Sequence, residues 1–351
     1  MRLFTPGPTP IPPEVQTAMS QPLLYHKSSE FEELMRSVVQ GLQYVFSTKQ
    51  LVLPLSSSAT GTAEAVISSV HKAGETVLVL NNGRFAGRWR TMLELFGIKV
   101  INEDIQWGES PSAEQLEKLL LLHTNINAVW IVHCETSTGA VANIKDLIKT
   151  IRLHSDALVC VDGVSSVGAI ECKMDEWGID VLISCSQKAL MTPPGLGLVS
   201  LSERAWIEVE RKKPTSYYFD LLRIRTAVEK NKGVFTPAIG LIMGLNASLN
   251  YITNVGLAQV FARHLVVATI IRTGMKDCNL PLLARYPSNS LTVIKINDSI
   301  EIIRRLKHEF GVIVADGQDS FSGNSMRIGH LGYIFEDDAL YFVDCMKKLL
   351  L

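Results

Sequence analysis

The chain has 351 residues, 47% of them apolar and 20% charged. That balance supports a sizeable core, excludes native disorder and, at this length, fits one large domain plus a smaller one. A net charge of −1 without any long Lys/Arg run excludes a broad attraction to nucleic acid or anionic lipid.

The first dozen residues are rich in proline and form an arm that can be neither helix nor central strand. Its prolines stand where a signal peptide needs apolar residues, and no later run is long enough to span a bilayer, so a cytoplasmic protein is expected. Residues 14–19 and 31–46 carry helical spacing of apolar residues. From residue 51 short β-type runs alternate with helical stretches. LVLPL (51–55) leads into a helix beginning near Thr60, TVLVL (76–80) into 84–96, IKVINE (98–103) into 112–122 and NAVWIVH (127–133) into 144–154. ALVCVD (157–162), VLISCS (181–186) and LGLVSL (196–201) follow in quick succession. Apolar strands joined by helices predict an α/β fold, a parallel sheet with helices on both faces. Beyond Thr236 a helical pattern runs to about Thr273, weakly broken at Gly244 and Gly256. A compact α+β unit then reads as strand 290–296, helix 300–310, strand 325–330 and closing helix 337–350. The expected division is an arm over 1–14, a large domain over 15–245 and a small domain over 246–351.

In such sheets ligands gather at the carboxyl ends of the strands. Lys188 follows the run VLISCS and precedes Pro193-Pro194-Gly195, a setting that desolvates an amine and favours Schiff-base chemistry. A lone lysine there is more often one that snorkels to the surface. Asp162 closes ALVCV at the same sheet edge, where a carboxylate can keep a pyridoxal ring nitrogen protonated. A strand-terminal Asp is otherwise a cap or turn residue, and the pair carries more weight than either member. Ser56–Thr62, between a strand and a helix, offers hydroxyls and free amides for a phosphate, or a plain N-cap. Phe85 could stack on a flat ring or belong to the core, and Thr136 could bind a phenolic oxygen or serve its turn. Arg327, in SMRIGH, could receive a substrate carboxylate as a bidentate fork or sit in an internal ion pair. Six cysteines without C-x-x-C or zinc-like spacing read as buried thiols in a reducing compartment, so no metal is expected.

With these residues assembled, the chain resembles the class V aminotransferases of the alanine/serine–glyoxylate type. The resemblance runs from TPGPTPIPPEV through SSSATGTAEA, NNGRFAGRW, HCETSTG and VDGVSSVGAIECKMDEWGID to SQKALMTPPGLGLVSLS and MRIGHLG. It implies a fold-type I enzyme that depends on pyridoxal 5′-phosphate, with a mainly parallel seven-stranded sheet in its large domain. By that resemblance Lys188 is the Schiff-base lysine and Asp162 the partner of the pyridine nitrogen. Val164 lies under the ring, Phe85 over it, and Thr136 on its phenolic oxygen. Ser58, Ala59, Thr60 and Gln187 hold the phosphate, and Thr236 reaches the phosphate of the neighbouring subunit in a homodimer. Arg327 takes the substrate α-carboxylate, and the backbone at Gly7 lines the substrate pocket. Ser57 and Ala59 depart from the glycines usual in the family's phosphate loop, and Gly233 stands where a tyrosine is usual. The implied activity moves an amino group from an amino acid, alanine or serine first, to a 2-oxo acid such as glyoxylate or pyruvate.

Competing readings are a lyase or desulfurase on the same fold, an aminoethylphosphonate-type transaminase suggested by HCETSTG, and a nucleotide-binding protein on a Rossmann-like sheet. The desulfurase needs a mobile cysteine on a loop of the small domain, where Cys278 and Cys345, the latter in a helix, are the only candidates. The nucleotide binder lacks G-x-G-x-x-G and leaves Lys188 without a role.

Overall fold

The computed structural model describes residues 1–350. Seven strands form the central sheet: β1 (Val52–Ser56), β2 (Thr76–Asn81), β3 (Lys99–Asp104), β4 (Ala128–Val132), β5 (Leu158–Asp162), β6 (Val181–Cys185) and β7 (Leu196–Leu201). Their order across the sheet is β1-β7-β6-β5-β4-β2-β3. The pairings of β2 with β3 and β4, of β4 with β5 and of β5 with β6 are parallel, and only β7 runs against its neighbours. The carboxyl ends of the other six strands therefore share one edge of the sheet.

The run of apolar residues in the interior strands is explained by two cores, one per face. Val129, Ile131, Val159 and Val161 point into one, with helices Ser29–Phe46, Ile144–His154 and Ile239–Val255. Ala128, Trp130, Leu158 and Cys160 alternate into the other, under helices Ala59–Val70, Arg84–Leu95 and Glu203–Lys212. A strand buried on both faces has no polar positions to show, and period-2 alternation appears only as a division of apolar residues between cores.

The smaller C-terminal domain is a three-stranded antiparallel sheet of β8 (Leu291–Lys295), β9 (Ala315–Asp316) and β10 (Ser325–Gly329), with β10 in the middle. Helices Leu257–Asp277, Ser299–Phe310 and Glu336–Leu350 cover it. The arm is more structured than its prolines suggest. Arg2–Leu3 pairs in parallel with Val312–Ile313, and Phe4 is buried in the small-domain core, its ring 5.2 Å from that of Phe342. Pro13 opens helix Pro13–Met19, a position where proline costs no hydrogen bond. The long helical pattern after Thr236 breaks at Gly256, with a bend of 88° between Ile239–Val255 and Leu257–Asp277. Gly244 stays helical because it packs on Met19, whose Cγ would lie 2.7 Å from an added Cβ. Among the described residues no single helix is long and apolar enough to cross a membrane.

Candidate active site

Asp162 is the last residue of β5, opposite Ile183 of β6, so the loop leaving β6 passes directly beside it. That loop folds back sharply. Ser186 Oγ donates to Pro193 O at 2.7 Å and accepts from Leu196 N, and Lys188 O accepts from Met191 N at 3.0 Å. The turn delivers the Lys188 side chain to the same edge as Asp162. From the other side comes the arm. Lys188 Nζ donates to Pro6 O at 2.5 Å, and Thr9 Oγ1 donates to Lys188 O at 2.8 Å. Between these two contacts Gly7 has φ +146°, and a Cβ there would lie 2.8 Å from Lys188 Nζ. Only glycine allows the backbone this close.

These residues line a cleft with about 270 Å³ of free volume. Gly7, Ser58, Ala59, Thr60, Phe85 and Thr136 line it together with Asp162, Val164, Gln187 and Lys188. Two of the residues singled out in the sequence do not. Thr236 lies in a separate, mostly apolar pocket beside β1, where Tyr218 stacks on Phe235 with ring centroids 4.9 Å apart. Arg327 lies on β10. Its strand is tied to the cleft through the arm, since Gly329 N donates to Phe4 O at 2.6 Å, two residues before the Pro6 carbonyl that holds Lys188.

Charge in the cleft follows from burial. Asp162 accepts from Val164 N at 2.9 Å and from Trp89 Nε1 at 3.0 Å. Burial raises its pKa, opposed by those two donors and by the charges of Lys188 and Arg88. Burial lowers the pKa of the half-buried Lys188, with Arg327 pushing the same way and Cys185, Cys134 and Asp162 against it. Burial thus disfavours the charged form of both groups. The Cys134 thiol, on the cleft wall, is pushed up to about 11 by burial and is not a nucleophile at neutral pH.

At the other end of the cleft, Ser58 caps helix Ala59–Val70, its Oγ accepting from Gly61 N at 3.2 Å. The first amides of the helix remain without such a cap and face an anion favourably. Arg88 lines this end, donates to Thr60 Oγ1 at 3.1 Å and lies 4.9 Å from the centre of the Phe85 ring. Gln187 Oε1 is buried without a partner among the described residues. Phe85 is held by a cap from a distant strand end. Phe85 N and Ala86 N donate to Glu135 Oε2 at 3.2 and 3.1 Å, and Arg84 N donates to Ser137 Oγ at 3.1 Å. Glu135 is fully buried, and burial raises its pKa against the pull of those donors. Thr136 Oγ1 and Ser165 Oγ share a hydrogen bond of 2.6 Å. Arg327 Nε donates to Asp316 O at 2.7 Å, and among the described residues no carboxylate lies within ion-pairing distance of its guanidinium. The internal ion pair weighed for it in the sequence is absent there.

Three contributors escape a reading of strand ends: Trp89, Glu135 and Arg88. Trp89 lies four residues after Phe85, one helical turn along the same face, and that spacing was the available signal. Glu135 sits inside HCETSTG and accepts locally from Ser137, but its helix-start partners are some fifty residues away and leave no local trace.

The family model "Aminotransferase class-V" matches residues 1–332. The chain belongs to the class V aminotransferases. Among its relatives, the "Soluble hydrogenase 42 kDa subunit" of Anabaena cylindrica is 35% identical over 100% of this chain and 93% of that protein. The L-aspartate–glyoxylate aminotransferase of Paracoccus denitrificans is 34% identical over 96% of this chain and 88% of its own length. The solved structure of an alanine–glyoxylate aminotransferase from Nostoc sp. superposes with a TM-score of 0.95 at 28% identity, covering 99% of this chain and 95% of that one. This class V chain is a fold-type I aminotransferase, and its family implies pyridoxal phosphate as cofactor.

Proposed function

We propose that the chain transfers the amino group of a small α-amino acid, alanine or serine first, to a short 2-oxo acid such as glyoxylate or pyruvate. The observation that carries the reading is the meeting of Lys188 and Asp162, from adjacent strand ends, in one cleft with an anion-receptive helix start. The Paracoccus and Nostoc proteins, named for glyoxylate, support the choice of acceptor.

The cleft suits pyridoxal phosphate. Among the described residues the amine of Lys188 has only a backbone carbonyl as hydrogen-bond partner, and the amide oxygen of Gln187 has none. Bound there, the cofactor supplies an aldehyde for amine exchange and an electron sink for the substrate's Cα electrons. Lys188 would hold the cofactor through its amine and, when free, would carry the Cα proton; its burial favours the neutral base that this role needs. Asp162 would keep the ring nitrogen protonated, Phe85 and Val164 would flank the ring, and the Thr136 hydroxyl would serve its phenolic oxygen. Ser58, Ala59, Thr60 and Gln187 would hold the phosphate, with Arg88 adding a cation at that end. Arg327, free of any internal carboxylate partner among the described residues, takes the substrate α-carboxylate, and Gly7 lines the substrate side.

Thr236 is absent from its own chain's cleft. Its place in a pocket rimmed by the exposed Tyr218 supports a role across a homodimer interface, toward the phosphate of the second copy. Six free cysteines, five of them buried, support a reducing, cytoplasmic setting.

A panel of amino donors assayed against glyoxylate and pyruvate, with the 2-oxo acid product measured, tests the assignment. Turnover with alanine or serine is expected. Failure of every α-amino acid with both acceptors overturns it.

A further inference from the structure

We propose that Trp89 is a positioning residue that sets the charge presented by Asp162, and so tunes the cofactor from behind its ring-nitrogen partner. The proposal rests on the pyridoxal-phosphate reading of the cleft. An indole N–H can only donate. It therefore bonds the ionised carboxylate better than the neutral one, and with the Val164 N–H it makes one hydrogen bond to each Asp162 oxygen. Both side chains are buried, Trp89 at 4% and Asp162 at 8% exposure, so no bulk water competes for the contact.

The indole is also fixed in place. Trp89 stacks on Trp130 with ring centroids 4.3 Å apart and planes 30° apart. Trp130 Nε1 donates to Nε2 of the buried His71 at 3.2 Å, which leaves the His71 proton on Nδ1, 3.5 Å from Glu75 Oε2. Glu75 in turn pairs with Lys212 at 2.7 Å. A continuous row thus runs from the cleft carboxylate along one face of the sheet to the amino-end edge. Such anchoring exceeds what filling space beside Asp162 requires.

The consequence concerns charge. Removing the indole donor leaves one Asp162 oxygen without its hydrogen bond and the carboxylate charge less dispersed. A more negative carboxylate favours the protonated form of the groups it faces. The other charged or titratable groups acting on it are Lys188, Arg88 and Cys185. His71, Glu75 and Lys212 stand at the far end of the row.

Spectrophotometric pH titration of the pyridoxal-phosphate-loaded protein tests this. In Trp89→Phe, the midpoint of the visible-band transition should rise by about one pH unit, the order expected from losing one hydrogen bond to a charged group. Trp89→His, which restores an N–H, should bring it back toward wild type. In an Asp162→Asn background Trp89→Phe should add nothing. An unmoved midpoint in Trp89→Phe, or an equal shift with and without Asp162, overturns the proposal. Should Trp89→Phe not fold, the indole N–H resonance of Trp89 in the ¹⁵N-labelled apoprotein decides: it should move upfield in Asp162→Asn, and an unchanged resonance refutes the contact. A protein that takes up no pyridoxal phosphate overturns the functional reading instead, while the apoprotein resonance still tests Trp89.

Discussion

Gly7 and Lys188 are the closest-fitted pair in the cleft, and they were legible to different degrees. Lys188 could be read from its place after a buried strand and before Pro193-Pro194-Gly195. The need for glycine at residue 7 could not, because it comes from an approach across 181 positions of chain. Gly7→Ala should force either the arm or the amine to move. Strain of about 1–3 kcal/mol at such a backbone position translates to a loss of about ten- to a hundredfold in kcat/KM. Rates of the first half-reaction, alongside a melting curve, check it; an unchanged rate would mean that the arm yields freely. Arg327→Lys replaces a fork with a point charge. It should lose about ten- to a hundredfold in kcat/KM for donors bearing an α-carboxylate, and less for an amine without one. Equal losses for both kinds of donor, with a lowered melting temperature, would make Arg327 structural.

At the scale of elements, the seven strands of the central sheet, β8 and β10 follow from their sequence to within a residue or two, whereas the two-residue strands Arg2–Leu3 and Ala315–Asp316 were passed over. Helices Glu203–Lys212 and Leu221–Val228 were passed over. The first buries only Ala205, Trp206, Val209 and Lys212, a narrow stripe in a charged segment directly after β7. Yet that helix carries much of the local electrostatics. The buried Lys212 donates to Val70 O at 2.8 Å and pairs with Glu75 at 2.7 Å, fastening two helices over one face of the sheet. Burial alone would raise the pKa of Glu75, but hydrogen bonds from His71 and Lys212 and the Lys212 charge outweigh it and lower it to about 2. A carboxylate depressed in the folded state stabilises the fold above its ordinary pKa and loses that contribution as pH falls through the folded value. Glu75→Gln should therefore destabilise the protein by about 1–2 kcal/mol near neutrality, solvent screening reducing the full effect, and the difference from wild type should shrink as pH drops from about 4.5 toward 2. Denaturant titrations across that range check the sign; a constant difference would exclude the ion pair as its source. Glu135→Gln should lower the melting temperature through a cost of about 1–3 kcal/mol, because an amide NH₂ cannot accept from the helix amides that now face a carboxylate. Unaltered stability would show that the helix start is held by Ser137 alone.

For the whole molecule, the alternation of strands and helices predicts the doubly covered sheet, and the strand ends predict where the cleft lies. What the sequence hides is how the chain closes on itself. The arm leaves Phe4 in the small-domain core, crosses the cleft at Pro6 and Gly7, and enters the large domain at helix Pro13–Met19. Proline content marks it as irregular without saying what it spans. The split role proposed for Thr236 belongs to this scale too. Sedimentation of the loaded protein should show a dimer, with Thr236→Ala weakening retention of the cofactor while the dimer persists. A fully active monomer at assay concentration would rule out the shared site. The most direct test of the enzyme's chemistry is covalent. Protein loaded with pyridoxal phosphate, reduced with borohydride and digested should carry the cofactor on a single lysine, Lys188, and Lys188→Ala should carry none and turn over almost no substrate. A cofactor fixed to another lysine, or wild-type turnover in Lys188→Ala, would contradict it.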